Sequence, residues 1–136
     1  MMRSALLAYQ ILTAFSDFAT GILLLLVPAW TLRLMGVSAP QDALVFLSWI
    51  GAFVFAVGLS CIYGVWLMVL RTCQDRLETL WLLTALVRAS VAIFVLQRVV
   101  VGTLDPGWLT VAFADGACVL MQGVGLWKGW LKYGAW

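Results

Sequence analysis

From Ala43 to Leu70 the chain reads ALVFLSWIGAFVFAVGLSCIYGVWLMVL, 28 residues without a charge. A hydrocarbon core takes roughly 20 helical residues, so this run predicts a helix that tilts or extends into the headgroups. Three more apolar runs surround it. Ala5 to Val27 carries only Asp17 and is closed by Pro28. Thr79 to Val101 holds Arg88 inside and Arg98 near its end, and Trp108 to Trp127 holds Asp115. The period-2 alternation of a β-barrel is missing from all four. The expected fold is all-α: a polytopic membrane protein, an antiparallel four-transmembrane-helix bundle over 5–27, 43–70, 79–101 and 108–130, with 1–136 as a single transmembrane domain.

Bulk composition agrees. Of 136 residues, 65% are hydrophobic and 10% charged, with mean hydropathy +1.07. A soluble domain is about 25% charged, and disorder needs high charge with low hydrophobicity, so both are excluded. The net charge of +2 is small and its basic residues are scattered, which gives nucleic acid no footprint. With no histidine, haem, zinc or copper ligation and acid–base chemistry through imidazole are removed, so no cofactor is bound through His; a lipid or quinone is still possible. Cys61, Cys73 and Cys118 form no CxxC, and Cys61 and Cys118, which fall inside apolar runs, read as packing residues. The first run is too long for a signal-peptide core and reads as a retained helix.

Short connections at Arg71–Glu78 and Gly102–Gly107 imply antiparallel neighbours. The longer link starts at Pro28, which favours a first helical turn, and passes Gly36, which favours a stop. Trp30, Leu32, Leu34 and Met35 between them predict a short interfacial helix after the first span. Arg3, Arg71, Arg76, Lys128 and Lys132 fall on one side, Arg33 and Arg98 on the other. The positive-inside rule then puts both termini in the cytoplasm. Trp30 and Trp108 would anchor the outer interface, and Trp66, Trp81, Trp127 and Trp130 the inner one, while Trp49 would pack against a partner.

The chemistry-bearing residues are intramembrane. Asp17, Arg88 and Asp115 each cost roughly 2.5–3.5 kcal/mol at mid-membrane. Spacing places Thr13, Ser16, Asp17 and Thr20 on one face of the first helix, Thr84 with Arg88 on the third, and Asp115, Cys118 and Gln122 on the fourth. These faces should meet, because lipid satisfies no polar group. One guanidinium can bond two carboxylates, so Arg88 is expected to contact Asp17, Asp115 or both. Such a cluster is either an ion pin that fixes register or a proton relay, ion path or headgroup pocket. For helix packing, Ala52, Ala56, Ser60 and Gly64 repeat every four residues as a small-residue ladder, and Gly125-x-x-x-Gly129 is a shorter one.

The long polar-striped first helix, Val27-Pro28 leading to Leu34-Met35-Gly36, Gly51 and Gly58, Arg88 and Asp115 together resemble the small four-helix bacterial membrane proteins called DoxX-like. The resemblance implies a bacterial inner-membrane protein linked to redox systems, and it carries over no catalytic residue. Three functions compete. A non-catalytic accessory subunit of a larger redox or energy-converting membrane complex comes first, with membrane lipids and other subunits as partners. A small proton-coupled transporter or homo-oligomeric carrier is second, and a quinone- or lipid-linked oxidoreductase component third.

Overall fold

A computed structural model describes residues 2–71 and 73–131 of the chain. Lys132, one of the charges counted above, lies outside them. The described residues are helical, with no strand among them. In chain order they form α1 (Met2–Leu26), a short α2 (Pro28–Leu34), a 3-10 turn at Gln41–Ala43, α3 (Leu44–Leu70), α4 (Gln74–Val100), a second 3-10 turn at Pro106–Trp108, and α5 (Leu109–Trp127). Four segments are long and apolar enough to cross a membrane: Arg3–Leu26, Gln41–Leu70, Gln74–Val100 and Pro106–Trp127.

Local sequence accounts for the ends. Pro28 opens α2, where its missing N–H costs nothing. The helix closes with Val37 N–H on Leu32 O and Gly36 N–H on Arg33 O. Gly36 takes φ 69°, the left-handed conformation this cap requires. Gly129 does the same for α5 at φ 63°, with Trp130 N–H donating to Gly125 O. Gly129 therefore terminates its helix, which stops at Trp127 rather than near 130, and the expected Gly125–Gly129 packing ladder does not form. α4 begins at Gln74, five residues before the expected Thr79. The polar stretch 74–78 read as loop, yet Gln, Arg, Leu and Glu are good helix formers. Asp75 in the first turn also complements the helix dipole.

Contacts divide the chain into two compact units, one reaching to Gln74 and the other starting at Asp75. In the first unit α1 packs on α3 through glycines. A Cβ on Gly58 would lie 2.5 Å from Phe18 N and 2.7 Å from Phe18 Cα, and one on Gly51 would lie 2.6 Å from Leu25 N. One on Gly21 would collide with the Phe55 backbone. The partners descend on α1 as they ascend on α3. The Phe18 and Phe55 rings lie beside this seam with centroids 5.0 Å apart.

The seam corrects the expected ladder. Ala52 and Ala56 are exposed, Ser60 is half-buried with its hydroxyl on Ala56 O, and only Gly64 is buried. The residues of α3 that bury are Leu47, Gly51, Gly58, Cys61, Gly64, Leu67 and Met68. The reason is helical phase. A four-residue step overshoots one turn by about 40°, so a strict four-residue ladder winds off the contact face. Alternating steps of three and four stay on it.

In the second unit the buried line of α4 is Leu77, Trp81, Thr84, Ala85, Arg88 and Val95. Ala112, Gln122 and Gly125 are buried on α5. A Cβ on Gly125 would meet Trp81 Cζ3 at 2.7 Å, so the missing side chain makes room for the indole. Trp81, 0% exposed, is thus a packing residue and not the interfacial anchor expected.

Candidate functional site

Several of the polar groups inside the spans form ties within one unit. Arg88 lies one turn beyond Thr84 on the buried line of α4. Its Nη1 donates to Asp115 Oδ1 at 2.7 Å, with side-chain exposures of 7% and 16%. The distance is that of a charge-assisted bond. One helical turn along α4, Gln122 Nε2 donates to Thr84 Oγ1 at 2.9 Å, and both residues are buried. The Thr84 hydroxyl in turn donates to Leu80 O at 2.8 Å. The second unit therefore carries two bonded rungs, Arg88–Asp115 and Thr84–Gln122, between α4 and α5.

The first unit holds Asp17, half-buried on α1, with Oδ2 3.9 Å from the Cys61 thiol of α3. Its firmer tie is a residue the sequence reading passed over. Gln10, 1% exposed, donates Nε2 to Cys61 O at 3.0 Å across the α1–α3 seam. The signal was present: Gln10, Thr13 and Asp17 follow the same 3-and-4 spacing, so Gln10 extends the stripe by one turn. Gln10 reaches a backbone carbonyl that α3 already bonds internally, using its second lone pair.

Not every member of the expected cluster is an interhelical tie. Thr13 is buried, but its hydroxyl donates to Tyr9 O and Gln10 O, both at 3.1 Å, on its own helix. Such back-bonding lets a threonine sit in apolar surroundings without a partner helix. Thr20 and Cys118 are half-buried, and Ser16 is exposed. Of the three charges, Arg88 and Asp115 are joined by an ion pair. Among the described residues no three His, Cys, Asp or Glu side chains cluster as metal ligands.

Large apolar side chains face outward along the spans. Val45, Phe15, Leu120, Phe113 and Leu12 are each about two-thirds exposed or more, while Gln10, Gln122 and Arg88 are buried. A shallow groove of about 530 Å³ runs between α4 and α5, lined by alanines and Gly116 with Ile93, Phe113, Val119 and Leu120 at its sides. Comparison with protein-family models, with curated proteins and with solved structures finds no match to this chain.

Proposed function

We propose that the chain is an integral protein of a bacterial inner membrane, its four long helices crossing the bilayer as an antiparallel bundle. Both termini would be cytoplasmic, with Pro28–Leu34 in the outer interface. The observation that supports this is the apolar outer surface of the helices: large apolar side chains such as Phe113, 70% exposed, face outward, and among the few buried polar residues are Gln10, Gln122 and Arg88. Water would penalise that surface at about 25 cal/mol per Å²; hydrocarbon does not.

Within the membrane we assign it the role of a non-catalytic accessory subunit of a larger redox or energy-converting complex. The support is what the intramembrane polar groups do. Gln10 ties α1 to α3, and Arg88–Asp115 and Thr84–Gln122 tie α4 to α5. Their hydrogen bonds fix helix register, as an architectural element requires. The redox context comes from the DoxX-like resemblance and rests on sequence pattern. Purification in mild detergent followed by native mass spectrometry tests the role. Co-purification with other membrane subunits at fixed stoichiometry is expected, and a chain that always isolates alone would overturn it. The partial exposure of Asp115 beside Arg88 favours a second reading, a small proton-coupled carrier. Proton uptake by proteoliposomes, lost in Asp115→Asn, would select it.

A further inference from the structure

Gln122 makes one bond too few. Its Nε2 is engaged by Thr84 Oγ1, but its Oε1 is buried with no hydrogen-bond partner among the described residues. Turning the amide over does not cure this, because Thr84 would then take the oxygen and leave the NH2 group with no acceptor. A buried polar atom left in this state is costly, and more so where hydrocarbon replaces water. An apolar side chain at 122 would avoid the cost altogether.

The surroundings restrict what can meet that oxygen. Gln122 is 3% exposed, Thr84 5% and Trp81 0%, and Oε1 itself is covered, so only a small group or the end of a slender molecule can meet it, and only as the side chains around it shift to admit it. The partner must donate, since the free atom is an acceptor, and an anion has nothing to give. A cation is disfavoured because Asp115, the carboxylate beside Arg88 one turn along α4, is already engaged by that guanidinium. A neutral hydroxyl satisfies all three conditions.

We infer that Gln122 Oε1 is the acceptor of a binding site for a neutral O–H donor, next to the Arg88–Asp115 pair. The donor is either a held water or the hydroxyl of a membrane-soluble molecule. The inference rests on the membrane-spanning reading above but not on the accessory-subunit role, so its failure leaves the co-purification result untouched.

The sign of a stability change tests it. Replacing both bonded partners by apolar groups of similar shape is near neutral or stabilising when nothing else is bound there. Thr84→Val with Gln122→Met should instead lower the thermal midpoint by several degrees, because the third hydrogen bond goes too. In nanodiscs of synthetic phosphatidylcholine and of native lipid extract, a water gives the drop in both, whereas a membrane molecule gives it only in native lipid. A midpoint unchanged or raised in both overturns the site. Should the double variant not fold, a high-resolution structure of the wild type decides. Density at about 3 Å from Oε1 is expected, and a fully resolved side chain with none refutes it.

Discussion

Substituting Gly58 by alanine puts one methyl group where the seam has no room. The new Cβ would stand 2.5 Å from Phe18 N and 2.7 Å from Phe18 Cα. Both are backbone atoms of α1, so no rotamer change relieves the contact. Restoring a separation of about 3.5 Å moves the two helices apart by about 1 Å at this level, and a gap of that size forfeits up to half of each dispersion contact beside it. Gly21 against Phe55 and Gly51 against Leu25 lie on the same seam and loosen with it. Overpacking costs about 1–3 kcal/mol, and alanine returns up to about 1 kcal/mol in helix propensity. A net loss of about 1–2 kcal/mol is expected. The control is Gly123→Ala on α5, where a Cβ meets nothing within 4 Å; it should be neutral or slightly stabilising. Both variants are to be unfolded by SDS titration from mixed micelles, followed by circular dichroism. Equal midpoints for Gly58→Ala and Gly123→Ala would show that α1 and α3 do not meet backbone to backbone, and the seam would have to be abandoned.

The exposed ladder supplies a contrast: Ala56→Leu should leave the isolated chain's unfolding midpoint within error of wild type, whereas Gly58→Leu should prevent folding, as read by the same titration. Arg88→Leu strands the Asp115 carboxylate; breaking such a pair costs roughly 3–5 kcal/mol in soluble proteins, so the yield of folded protein should fall. Adding Asp115→Asn should recover part of that yield, and no recovery in fluorescence-detected size exclusion would mean the pair is not what Arg88 supports. Cys73, exposed between α3 and α4, should react with an impermeant maleimide only from the cytoplasmic side of the membrane; labelling from the periplasm alone would invert the proposed topology.

The fold was legible because it depends on long-range composition. A charge-free run such as 43–70 has few structural solutions, and the helix ends at Pro28, Gly36 and Gly102 follow from backbone chemistry. The end of α5 is less legible, because the Gly125–Gly129 spacing fits a packing ladder as well as the left-handed cap that Gly129 forms. The packing face of α3 was harder, since nearly every residue there is apolar and hydrophobic periodicity carries no phase. The four-residue repeat of small residues offered a face about one residue away from the true one. Gly51 and Gly58, noted for the family resemblance, in fact mark it. At the candidate site, charge alone implies that Arg88 meets Asp17, Asp115 or both, and the contact with Asp115 is within that range. The Gln10 and Gln122 ties depend on which side chain finds a carbonyl or hydroxyl opposite, and that is settled by helix rotation. Trp81 misled because tryptophan serves equally as an anchor and as a filler, and only the space above Gly125 distinguishes them.

The glycine seam has a calorimetric consequence. Heat-capacity change on unfolding arises mainly from apolar surface newly hydrated by water. If α1 and α3 separate inside a bilayer, Gly21, Gly51 and Gly58 exchange backbone neighbours for lipid tails and no apolar area becomes wet. The heat-capacity increment of that separation should then be near zero. Its free energy would fall almost linearly with temperature, without the curved maximum of a soluble domain and without a cold-unfolding branch. The association of these two helices would be an enthalpic matter of shape, insensitive to the temperature dependence that governs proteins folded by water.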